Sequence, residues 1–104
     1  MLKIENPDNL NTTMKALTSG VEFQIVYQRK NAMEYLFRIL RDGVLDCKMT
    51  ISTTWKYGDT ILIYFCDKDN NFIHSTYELD YDIVSNRSKF ILWISERFLN
   101  GYKR

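Results

Sequence analysis

The chain has 104 residues, the common size of one domain, so a single hydrophobic core is expected and two domains are excluded because each half would be too small. Hydrophobic residues make up 45% and charged residues 26%, a profile that excludes a disordered chain. The formal net charge of +1, from 14 Lys and Arg against 13 Asp and Glu, excludes a whole-protein field that would draw nucleic acid, an anionic membrane or an acidic substrate.

Charge is also interspersed along the chain. Residues 1 to 58 carry eight basic and six acidic side chains, and residues 59 to 104 carry six and seven. The N-terminus, Met1 to Pro7, has no apolar signal-like region, and no run approaches the ~18 apolar residues of a membrane span. With two cysteines, Cys47 and Cys66, too few for a stapled secreted scaffold, a cytoplasmic setting with free thiols is expected. The sequons at Asn11 and Asn86 are then chance matches.

In chain order, Asn6-Pro7-Asp8 reads as an N-cap, an N1 proline and a first-turn acid. Leu10, Met14 and Leu17 then recur at helical spacing up to Gly20, which predicts a first helix. Val21, Phe23, Ile25 and Tyr27 alternate with Glu22, Gln24 and Gln28, the period of a strand with one face inward. Asn31 followed by Glu34 has the form of a capping box. Met33, Leu36, Phe37 and Leu40 make an apolar stripe before Gly43, which predicts a second helix.

Leu45, Cys47, Met49, Ile51, Thr53 and Trp55 then alternate cleanly with polar residues as a half-buried strand. Turn signals at Tyr57-Gly58-Asp59 and Asp67 to Asn71 bracket Thr60 to Cys66, a central strand apolar on both faces. Phe72 to Leu79 closes a three-stranded meander. Phe90, Ile91, Ile94, Phe98 and Leu99 suit a C-terminal helix before Gly101, although Lys89 to Trp93 also fits a strand. The expected order is short strand, helix, strand, helix, three strands, helix. This is one small α+β domain, a mainly antiparallel sheet with a meander over about 44–79 packed against two or three helices.

The register of the meander carries a functional clue. Odd-numbered hairpin loops set Ile51 opposite Ile63, Met49 opposite Phe65 and Ile73 opposite Phe65, gathering the strongly apolar residues on one face. The other face then carries Leu62, Tyr64, Cys66, Phe72 and His74 among Thr50, Ser52, Thr54 and Thr76. Two-residue or four-residue loops would mix apolar with polar.

Chemistry-bearing constellations are sparse. His74 is the single histidine, and pairing with Cys66 as base and nucleophile would require adjacency across a hairpin, where Cys66 falls nearer Phe72. Two unspaced cysteines and one histidine supply no zinc pattern. Asp67, Asp69, Asn71 and Glu78 match positions 1, 3, 5 and 12 of a calcium loop, but Phe72 stands where glycine is needed and strands stand where helices are needed. A polar hairpin turn explains them. Glu78, Asp80 and Asp82 form a local acidic run, which reads either as a binding strip for a basic partner or as a solvated edge.

No catalytic set, metal site or cofactor is therefore expected. The leading expectation is a non-catalytic binding or regulatory protein that occupies a surface on another protein. Leu62, Tyr64, Phe72 and His74 would make the apolar contacts, with Glu78, Asp80 and Asp82 steering a basic partner. A homodimer through the same face is a variant. The composition and motif-free compactness suit a small phage or mobile-element inhibitor of a host protein. The alternative is a single-stranded nucleic-acid binder using Lys48, Trp55, Lys56 and Tyr57.

Overall fold

The computed structural model describes residues 3–16, 19–57 and 60–98, and at 53–57, 78, 97 and 98 the backbone alone. Its main feature is a six-stranded antiparallel sheet in which spatial order follows chain order. The strands are β1 (Thr12–Lys15), β2 (Glu22–Asn31), β3 (Glu34–Arg41), β4 (Val44–Tyr57), β5 (Thr60–Asp67) and β6 (Phe72–Asp80). Two short helices follow, α1 (Tyr81–Ser85) and α2 (Arg87–Phe98). The sheet therefore dominates the expected α+β arrangement, and two of the predicted helices are absent.

The first of these is a 3₁₀ turn over Pro7–Leu10 followed by β1. Helical spacing at Leu10 and Met14 competes with alternation at Thr12, Met14 and Ala16. The second pattern prevails: Thr12 and Ala16 are buried and Met14 packs on the core. Asn11 enforces the switch, because its backbone is extended and its Oδ1 accepts the Tyr27 backbone N–H at 2.6 Å.

The second predicted helix, from Asn31 to Gly43, is the Ala32–Met33 hairpin turn, strand β3 and the Asp42–Gly43 turn. Asp42 and Gly43 have φ of 49° and 82°, the double positive φ of a type I′ hairpin. The Asp42 carboxylate accepts the Glu22 N–H at 2.9 Å, locking the turn to the start of β2. Within β3, Tyr35, Phe37 and Ile39 form the fully buried row, while Leu36 and Leu40 of the presumed helical stripe fall on the opposite face.

The core lies on one side of the sheet. Cross-strand rows such as Tyr27, Phe37, Met49, Phe65 and Tyr35, Ile51, Ile63 build it. The expected C-terminal helix is present as α2, whose Phe90, Trp93 and Ile94 are buried against these rows, with the Phe90 ring 6.4 Å from that of Phe37. Asp80 caps α1 by accepting the Ile83 N–H at 3.1 Å, and Asn86 caps α2 by accepting the Lys89 N–H at 3.2 Å. The N-terminal segment covers the same side: Ile4 and Leu10 are buried, and the Arg87 guanidinium donates to the carbonyls of Asn9 and Asn11. No helix among the described residues is long and apolar enough to cross a membrane.

The meander is as expected in outline, and Ile51 does face Ile63 and Met49 does face Phe65. The loops that achieve this are not odd-numbered. Tyr57 pairs Thr60, and four residues separate β5 from β6. Register shifts between Ile51 and Lys56, between Ile61 and Ile63, and at Ile73 offset the even loops, and Met49, Ile51, Ile61, Ile63, Phe65 and Leu79 are all buried on one face. The bulge at Ile73 also corrects one pairing, since Phe65 faces His74 where Ile73 was expected.

Candidate functional site

Among the described residues no helix packs on the side of the sheet opposite α2, and the composition of that side follows from the register. One row across five strands reads Val26, Arg38, Lys48, Cys66, Phe72. The next row on this face reads Arg29, Leu36, Thr50, Tyr64, Ser75, and beyond it Glu34 faces Ser52.

Tyr64 organises the middle of this surface. Its hydroxyl donates to Glu34 Oε2 at 2.8 Å, and the Thr50 side chain hydrogen-bonds the Tyr64 hydroxyl oxygen. Tyr64 stands on β5 and Glu34 on β3, with β4 between them, so the phenol must lie along the sheet instead of projecting from it. The burial pattern agrees. Thr50, paired with Tyr64, and Ser52 are only 3% and 1% exposed. Burial and the hydrogen bond to the Glu34 carboxylate both push the Tyr64 hydroxyl above its ordinary value, since each disfavours the phenolate. The result is a half-buried aromatic ring, held at its hydroxyl end, on the same face as Leu36 and Leu62.

Several expected site residues belong here. Leu62 and Tyr64 are half-buried on the helix-free face, and Phe72, 65% exposed, ends the Arg38 row at the β6 edge. His74 does not join them. The bulge turns it to the α2 side, where its ring stacks on Phe65 with centroids 6.5 Å apart. Cys66 and His74 therefore face opposite sides of the sheet and do not form a nucleophile and base pair.

The acidic strip is also dismantled. Asp80 is consumed as a helix cap and Asp82 lies exposed in the first turn of α1, so the two do not share a strand face. The Glu78 side chain lies outside the described residues, as do those of Trp55, Lys56 and Tyr57. Of the residues expected to touch nucleic acid, Lys48 is described, and its Nζ donates to Asn70 Oδ1 at 2.8 Å.

The calcium-loop resemblance resolves into a turn. Asp67 Oδ1 accepts the backbone N–H groups of Asp69 and Asn71, each at 2.9 Å, and its Oδ2 accepts the Asn71 side chain. Among the described residues no group of three or more His, Cys, Asp or Glu side chains is placed to hold a metal.

Sequence reasoning named Lys48, as a nucleic-acid contact, but missed the other basic members of the helix-free face, Arg29 and Arg38. Arg29, Arg38 and Lys48 stand on three different strands, and Arg29 was brought to this face by the bulge after Tyr27. Glu34 was missed because its role depends on a partner 30 residues away. No protein-family model, curated protein or solved structure matches the chain.

Proposed function

We propose that this chain is a non-catalytic binding protein that acts by docking the helix-free face of its sheet onto another protein. The observation that supports the reading is the Tyr64 ring, pinned flat between Glu34 and Thr50 on a face that α2 leaves open. A side chain held in one conformation before binding loses less entropy on association, and aromatic anchors of this kind carry much of the energy of protein interfaces. Leu36, Leu62 and Phe72 extend the contact area around it. In this reading the protein is a small cytoplasmic regulator or inhibitor, with no cofactor.

The test is capture of proteins from the native host by immobilised wild type, Leu62→Asp and Tyr64→Ala, with circular dichroism confirming that each variant is folded. Specific partners retained by wild type and released by both variants are expected. Undiminished capture by both would refute docking through this face. Light scattering across concentration distinguishes a second copy of the chain from a foreign partner.

A further inference from the structure

The charges of the helix-free face are arranged at a cost. Arg38 and Lys48 are directly opposed on β3 and β4, where like charges destabilise the pairing. Arg29 adds a third cation from the neighbouring row. Arg29 and Arg38 are exposed and have no hydrogen-bond or ion-pair partner among the described residues. Lys48 reaches a neutral amide oxygen. The one carboxylate placed in these rows, that of Glu34, is bonded to Tyr64. Among the described residues, a chain with net charge +1 thus places three cations on one sheet face, and neither Arg29 nor Arg38 is paired with a carboxylate there.

We infer that Arg29, Arg38 and Lys48 recognise carboxylates on an acidic patch of the partner protein, with Tyr64, Leu36 and Leu62 receiving apolar side chains beside that patch. The inference rests on the docking reading above and specifies its partner's chemistry. Opposed strand positions place side-chain roots about 5 Å apart and diagonal ones about 7–8 Å apart, a spacing that carboxylates on one strand or one helix face can match. Charge complementarity at such a site accelerates association and selects among partners. The surroundings favour protein over nucleic acid. Bases need neighbouring π-faces, whereas Tyr64 and Phe72 stand in different rows of this face, and Glu34 would repel a phosphate chain running past it.

The experiment uses the full chain and leaves Lys48 intact as a reporter. Wild type, Arg29→Glu with Arg38→Glu, and Leu62→Asp are compared for host-protein capture. Retained complexes are fixed with a zero-length carbodiimide that joins amines to carboxylates. Expected is a drop in capture of at least tenfold for the charge-reversed variant, a loss that deepens with salt in wild type, and a cross-link from Lys48 to an Asp or Glu of the partner. Arg38→Glu sets a carboxylate opposite Lys48, so its melting temperature should be unchanged or raised, separating lost binding from lost folding. A partner released by Leu62→Asp but kept by charge reversal, with no Lys48 cross-link, overturns the acidic patch and leaves the docking reading standing. A partner indifferent to all three changes, or no partner at all, removes both. Fluorescent oligo(dT) bound by wild type and lost on charge reversal, in the absence of protein capture, would assign the cations to nucleic acid instead. A concentration-dependent dimer abolished by charge reversal would assign them to a second copy.

Discussion

Replacing Tyr64 by Phe tests whether the ring lies across β4 as described. The substitution keeps the ring and removes one oxygen, which donates to Glu34 at 2.8 Å and is hydrogen-bonded by Thr50. A hydrogen bond to a charged group contributes about 1.5–3 kcal/mol, and the half-exposed Glu34 carboxylate puts this one at or below the lower end. Thr50, only 3% exposed, loses a partner that water cannot readily replace, which adds a cost of order 1 kcal/mol. Together these give a destabilisation of about 1.5–2.5 kcal/mol, or a fall in Tm of roughly 6–15 °C for a chain of this size. Urea unfolding of wild type, Tyr64→Phe, Glu34→Gln and the double variant supplies the coupling energy, expected near 1 kcal/mol. A Tyr64→Phe effect below about 0.3 kcal/mol, with no coupling to Glu34, would mean that the ring is not anchored, and the preformed docking surface would fall with it.

Other outcomes follow from the same geometry. Tyr64 and Tyr27 both have hydroxyls raised above the usual tyrosine value, chiefly by burial. The folded state therefore holds these protons more tightly than the unfolded chain, so their contribution to stability is intact below pH 10 and is lost as pH rises through the folded-state values. Stability curves of wild type and Tyr64→Phe should converge at alkaline pH, and phenolate absorbance should show Tyr64 ionising earlier in Glu34→Gln. Ala32 takes φ of 53° in the hairpin before β3, a region costly for residues with a Cβ, so Ala32→Gly should raise stability by about 0.5–1 kcal/mol in urea unfolding. Phe37 is fully buried against Tyr27 and Phe90, and Phe37→Ala should cost about 3–5 kcal/mol, enough to leave little folded protein by circular dichroism.

The parts of the fold legible from residues alone were those where alternation was strict: Val21 to Tyr27 and Leu45 onward could be half-buried strands, and both are. Around Phe90 and Ile94 the helical spacing had a strand as rival over Lys89 to Trp93, and the helix prevailed. Between Asn31 and Gly43 two periods coexist, because Leu36 and Leu40 make β3 apolar on both faces. The Asp42–Gly43 hairpin signal was the local feature able to decide between them. Of the site, Leu62, Tyr64 and Phe72 were legible from strand parity, whereas His74 was misplaced by a single inserted residue.

By itself the sequence determined a strand at Val21 to Tyr27, a meander over about 44–79 and one apolar face for it, since each follows from side-chain period within a short window. Only the tertiary structure decided that Thr12–Lys15 and Glu34–Arg41 are strands of the same sheet, that Lys89 to Trp93 is helical, that bulges rotate Arg29 and His74 to the faces they occupy, and that Tyr64 reaches over β4 to Glu34. Those outcomes depend on which strands become neighbours. Pairing between distant segments leaves no periodic trace in either one, because a strand's own pattern specifies which side is apolar and not what lies across from it.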